Sequence, residues 1–191
     1  RAAGASEACG GAQAAAAAMY AGDLASQRLG IEITEIGPGR ATAVMRITNT
    51  MINGHDVAHG GYVFLLADTA FAFACNSYGD NTLAAGAEIS FIAPVRPGDE
   101  LVAEAVERGR YGKSGIYDVT VRRVAAGPGA ASGGDPGEVV AEFRGRSRTV
   151  AGSLVDPPAD RMAGPTHDGA NPRALLTWLP GFAPRPVATP V

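Results

Sequence analysis

From Tyr62 to Tyr78 the chain carries a single charge, Asp68. Around it stand Val63, Phe64, Leu65, Leu66, Ala67, Ala70, Phe71, Ala72, Phe73 and Ala74. On a 3.6-residue period this run is apolar nearly all round. A helix is therefore predicted over 61–78, buried on most of its sides, with Gly79-Asp80-Asn81 ending it. A helix without a wet face needs a layer of chain wrapped about it. That requirement is the strongest constraint on what this chain can fold into.

The flanking segments supply such a layer. Ile31, Ile33 and Ile36 lead into Gly37-Pro38-Gly39, a turn signal. Ala41, Ala43, Met45 and Ile47 then alternate with Thr42, Val44, Arg46 and Thr48, which predicts a hairpin. After the apolar helix come four more strand-like segments, over 82–93, 101–110, 115–125 and 138–150. One helix with strands segregated around it indicates an α+β fold with an antiparallel sheet. A sheet curled about a long central helix is the hotdog architecture, a single layer that usually needs a second subunit to cover it.

The domain is drawn at 18–152, although helix formers already run from 11 to 29. A disordered lead-in is expected over 1–17, a flexible hairpin loop over 126–137, and a Pro-rich, disordered tail over 153–191. The net charge of −3 gives no support to nucleic-acid binding. No uncharged apolar stretch reaches the ~18 residues of a membrane span. The two cysteines, Cys9 and Cys75, form neither a disulfide framework nor a zinc spacing. A reduced, cytoplasmic protein is expected, binding neither nucleic acid nor membrane.

The chemistry is expected at the start of the helix, in Asn53-Gly54-His55-Asp56-Val57-Ala58-His59-Gly60-Gly61. The backbone N–H groups of Gly60 and Gly61, at the positive end of a helix dipole, suit an oxyanion. Asp68 in apolar surroundings suits a general base acting on water, or a nucleophile acting on an acyl carbon. Asn53 and His59 can position a carbonyl or a water, and His59 can equally be a helix cap. Gly60 and Asp68 are eight residues apart, about 12 Å along a helix. They cannot meet one carbonyl within one chain, so the spacing favours a site shared across a two-fold dimer. His55 and His59 have the i, i+4 spacing of zinc hydrolases, but no continuous helix or third ligand accompanies them, and no metal is expected.

These residues resemble a known family. Asn53-Gly54-His55, His59-Gly60-Gly61, Leu66-Ala67-Asp68-Thr69-Ala70-Phe71-Ala72 and Ala74-Cys75-Asn76-Ser77 are similar to the hotdog acyl-CoA thioesterases of phenylacetate degradation, the PaaI type. So are Ala18-Met19-Tyr20 with Asp23, Gly112 to Val119, and Phe143-Arg144-Gly145-Arg146-Ser147. The resemblance implies hydrolysis of phenylacetyl-CoA or hydroxyphenylacetyl-CoA, with aryl and medium-chain esters as further candidates, to the acid and free CoA. It implies a homotetramer built from two dimers, with no cofactor beyond the CoA ester that is the substrate. It makes Asp68 the catalytic carboxylate and Gly60 the oxyanion donor, with Asn53 and His59 in support.

Phosphates of CoA call for cations. Arg144, Arg146 and Arg148 recur at a spacing of two and so share one strand face. With the turn at Lys113, Ser114 and Gly115 they are the expected CoA contacts. Two other functions fit the same frame: a hotdog hydratase or dehydratase using His59 as base, and a non-catalytic acyl-CoA-binding protein.

Overall fold

The computed structural model describes residues 2–124 and 136–153. Helices α1 (Ala2–Gly22) and α2 (Leu24–Arg28) come first, followed by the hairpin β1 (Glu32–Gly37) and β2 (Arg40–Arg46). A 3-10 turn at Asn49–Met51 leads to helix α3 (Gly60–Asn76). Strands β3 (Asp80–Phe91), β4 (Glu100–Tyr111), β5 (Ser114–Val124) and β6 (Glu138–Ser153) complete the sheet. The six strands run β1-β2-β4-β5-β6-β3, antiparallel throughout. This is the expected α+β hotdog arrangement, with α3 as the helix the sheet wraps.

Helix α3 fits the sheet because the sheet leaves room for it. Ala41 pairs with Ala105 and Ala43 with Ala103, while Met45 faces Leu101. All six are buried. Small residues opposite small ones make a trough, and the larger pair closes one end. From the helix, Leu66, Ala67, Ala70, Phe71, Phe73 and Ala74 are buried against this surface. Phe71 stands over Gly145 of β6, where an added Cβ would lie 2.7 Å from its ring. Tyr117 and Phe143 meet the same ring edge-on or tilted, at 5.5 and 5.8 Å between centroids.

Both ends of α3 are pinned. At the C-terminus the Asn76 side chain accepts from Thr82 N–H (2.8 Å) and donates to the carbonyls of Ala72 and Thr82. Ser77 Oγ donates to Ala74 and accepts from Gly39 N–H in the β1–β2 turn. At the N-terminus, Ala58 N–H donates to Val95 and His59 N–H to Met51, each at 2.8 Å.

The lead-in expected to be disordered over 1–17 is instead helical from Ala2. Alanine has the highest helix propensity of any residue, and Ala12 and Ala15 are buried. Their burial anchors a segment whose glycines argue for disorder. The single helix expected over 11–29 is broken at Asp23, whose carboxylate caps α2 by accepting from Ser26 N–H at 3.0 Å. The loop expected over 126–137 lies mostly, and the tail over 153–191 almost wholly, outside the described residues.

Two surfaces lack cover among the described residues. Strand β3 is an edge of the sheet, with Leu83 and Phe91 exposed. On α3, Gly61, Leu65, Asp68 and Ala72 follow a spacing of four, three and four, and none is fully buried. They form one stripe along an otherwise buried helix.

Gly145→Ala tests the packing of α3 on β6. The added carbon must displace the Phe71 ring, and overpacking of this kind costs about 1–3 kcal/mol. Urea denaturation should show that loss, while Gly109→Ala, with open space at its Cβ position, should cost less.

Candidate active site

Residues 53–59 form a short loop into α3, and its geometry decides which groups are free. Ile52 and Ala58 pair as an isolated antiparallel bridge. Between them Asn53 N–H donates to Val57, and Asp56 takes a positive φ of 58°, a conformation that aspartate tolerates better than most residues. Asn53 Oδ1 accepts from His55 N–H at 2.8 Å. Its amide nitrogen has no partner among the described residues. His55 is exposed.

His59 is the N-cap of α3, and its Nδ1 accepts from Gly61 N–H at 3.0 Å. The two glycines expected to act together are therefore separated in role. Gly61 N–H is already bonded to the cap. Gly60 N–H, the first of the helix, has no partner among the described residues. The expected pair of oxyanion donors is corrected to one free donor, because the imidazole occupies the second.

Gly60 opens onto a cavity of about 410 Å³. Asn53 lines it as well, and the rest of its wall is apolar, including Val57, Val63, Phe91 and Val140. A donor facing an apolar space interacts more strongly with a developing negative charge than it would in water.

Asp68 stands eight residues further along the continuous helix, on the uncovered stripe, and does not line this cavity. It has no hydrogen bond or ion pair among the described residues. Its partial burial raises its pKa above the ordinary carboxylate value. Cys75 lies on the same helix, and burial, its largest influence, pushes the thiol up to about 12, with Asp68 adding to the rise. A thiol held protonated in this way is not a nucleophile.

The cation stripe is only partly as expected. Arg144, Arg146 and Arg148 do share the exposed face of β6, while Phe143, Gly145 and Ser147 are buried on the other. Arg144, however, makes a two-pronged pair with Asp118 at 2.7 and 2.9 Å, and Arg108 binds the same carboxylate. Arg144, first among several causes, holds the Asp118 carboxyl below its usual range. Arg146 and Arg148 have no carboxylate partner among the described residues. Lys113 and Ser114 are exposed at the β4–β5 turn. Gly115 is buried, and a Cβ there would lie 2.8 Å from Ser147 Oγ, so packing alone accounts for that glycine. Among the described residues no three His, Cys, Asp or Glu side chains cluster to hold a metal.

A family model for the thioesterase superfamily matches residues 55–126. The acyl-coenzyme A thioesterase PaaI of Escherichia coli K12 is 38% identical over 138 residues, which span 72% of this chain and 91% of that protein. The chain belongs to the thioesterase superfamily. The solved structure of the E. coli PaaI protein superposes with a TM-score of 0.68 at 37% identity, covering 76% of this chain and 97% of that one. A mutant of the phenylacetic acid degradation protein PaaI from Thermus thermophilus gives 0.57 at 27% identity, covering 65% and 97%. This thioesterase is thus a thioester hydrolase of the PaaI type. No helix among its described residues is long and apolar enough to cross a membrane.

Sequence reasoning missed two features of the site. One is Asp118, hidden because the β5–β6 register decides which arginine it meets. The other is Phe91, which the sequence presents only as one apolar residue within the strand expected over 82–93, although its ring lies against Gly60.

The raised pKa of Asp68 makes a prediction about stability. The folded thioesterase binds this proton more tightly than the unfolded chain does, so stability falls as pH rises through the window between the two values. That window runs from the ordinary 3.8 up to the raised folded value. Asp68→Asn removes the effect. Urea midpoints should give the variant an advantage at neutral pH that shrinks towards pH 3. An advantage independent of pH would contradict the assignment.

Proposed function

We propose that this protein hydrolyses aryl acyl-CoA esters, phenylacetyl-CoA or hydroxyphenylacetyl-CoA foremost, to the free acid and CoA. The observation that carries the reading is the unbonded Gly60 N–H at the head of α3, open to an apolar cavity. The acyl class rests on the resemblance and on the relatives' names.

The ester carbonyl oxygen accepts from Gly60 N–H. Asp68 takes a proton from water as the water oxygen bonds to the acyl carbon, or its own carboxylate attacks that carbon and water then opens the mixed anhydride. Negative charge gathers on the former carbonyl oxygen, where the donor and the helix dipole stabilise it. On the general-base route the carbon–sulfur bond breaks and the CoA sulfur takes the proton that Asp68 removed from water; on the nucleophilic route the thiolate leaves as the anhydride forms and takes up the proton released when water opens it.

A single α3 cannot bring both groups to one carbonyl, since about 12 Å of helix separates them. The proposal therefore includes a second copy whose Asp68 completes the site at the first copy's Gly60. The exposed β3 edge and the uncovered α3 stripe support it, because a long unpaired edge is a surface for another strand. With the resemblance, the assembly is a homotetramer of two such dimers working in the cytoplasm. Arg146, Arg148 and Lys113 are the cations offered to CoA phosphates, with Arg144 held back by Asp118.

The hydratase reading is weaker on one specific ground. A neutral His59 whose Nδ1 accepts from Gly61 carries its proton on Nε2 and has no free basic nitrogen.

Release of free thiol from phenylacetyl-CoA tests the proposal. Wild type should turn over, and Asp68→Asn should lower kcat by about 10²-fold or more. Gly60→Pro deletes the N–H, because proline is at home in the first position of a helix and His59 already has the extended backbone proline wants before it; Gly60→Ala puts the same Cβ against the Phe91 ring while keeping the N–H, and so controls for that contact. The proline variant should cost about 10²–10³ in kcat. Gly60→Ala keeps the donor and should stay within about tenfold. Wild type that releases no thiol from any aryl or medium-chain acyl-CoA would overturn the reading.

A further inference from the structure

We infer that Phe91 is the residue that selects the acyl group, its ring forming the wall against which an aryl acyl chain stacks. This rests on the proposed thioesterase reaction and adds to it a residue that neither the motifs nor the family match singles out.

The cavity beside Gly60 has one polar side chain, Asn53, and one aromatic, Phe91. Its other walls are aliphatic: Val57, Val63, Ile92 and Val140 among them. A Cβ built on Gly60 would lie 2.9 Å from Phe91 Cζ and 3.3 Å from both Cε atoms. The tip of the ring thus rests on the α-carbon next to the free N–H. A carbonyl oxygen bonded to that N–H holds its acyl carbon within a few bonds of the ring. The acyl chain must pass along or against it.

The other aromatic rings near α3 are already in use. Phe64 packs edge-on to Phe143 at 5.4 Å, and Phe71 is held between Tyr117 and Phe143. Phe73 is buried and tilted against Tyr20. Phe91 alone among these phenylalanines is largely uncovered in the single chain, 56% exposed, at the end of the β3 edge that the proposed second copy approaches. An exposed ring at the mouth of an apolar cavity, touching the donor, is placed to offer its face to an aromatic ligand. A Cβ at position 60 would have to push the tip of this ring aside.

The test is a ratio. Wild type, Phe91→Leu and Phe91→Tyr are assayed for kcat/KM on phenylacetyl-CoA and hexanoyl-CoA. Phe91→Leu should lower the phenylacetyl-to-hexanoyl ratio by about tenfold, and Phe91→Tyr should leave it near wild type. Equal loss on both esters in Phe91→Leu, or no change on either, would overturn the inference. A second arm does not need turnover. Titration calorimetry with S-(2-phenylethyl)-CoA and S-hexyl-CoA, which cannot be hydrolysed, should show the same loss of preference in Phe91→Leu, with binding of free CoA unchanged. An unchanged preference in that arm overturns the role of Phe91 even if wild type hydrolyses both esters. A wild type that binds the phenylethyl ether selectively but releases no thiol overturns the hydrolase reading and leaves Phe91 as a selectivity wall.

Discussion

Helix α3 has almost no face to give to water, and the rest of the structure follows from that. Its apolar surface must be enclosed, and a single curled sheet encloses it only if helix and sheet come close. Alanines set opposite alanines on β2 and β4, and Gly145 beneath Phe71, allow the approach. Each large side chain buried this way is worth about 1.5–3 kcal/mol relative to exposure. Among the described residues no second layer covers the sheet, and one stripe of α3 and the β3 edge stay uncovered.

The same constraint produces the site. A buried helix must have its ends bonded. The C-terminal end is closed by Asn76 and Ser77. At the N-terminal end the His59 ring satisfies Gly61, while Gly60 N–H, at a cavity, has no partner among the described residues. A donor left open at an apolar-walled cavity is useful to a reaction that builds charge on oxygen. Asp68 repeats the pattern: a carboxylate without a partner among the described residues, partly removed from water, on the stripe the chain leaves open. Unpartnered polar groups at these two places are what a shared hydrolytic site needs.

Much of this was legible in the residues. The all-round apolar period of 61–78 and the alternation of the strands specify the helix and the sheet, since a periodicity either matches a burial pattern or does not. The separation of Gly60 from Asp68 follows from helix rise alone. Three things were not legible. The extension of the N-terminal helix back from residue 11 to Ala2 was hidden, because glycine and small residues argue against order there. The different fates of Gly60 and Gly61 depend on where one imidazole points. The pairing of Arg144 with Asp118 depends on strand register, which adjacent sequence does not contain.

The central claim is that each reaction centre takes its oxyanion donor from one chain and its carboxylate from another. Co-assembly of Asp68→Ala with Gly60→Pro tests it most directly. Each variant alone has lost one half of every site. A mixed dimer rebuilds one complete site of its two, so an equal, randomly mixed population should recover about a quarter of wild-type thiol release. Mixed oligomers verified by differential tags that release no more thiol than either parent would contradict the shared site.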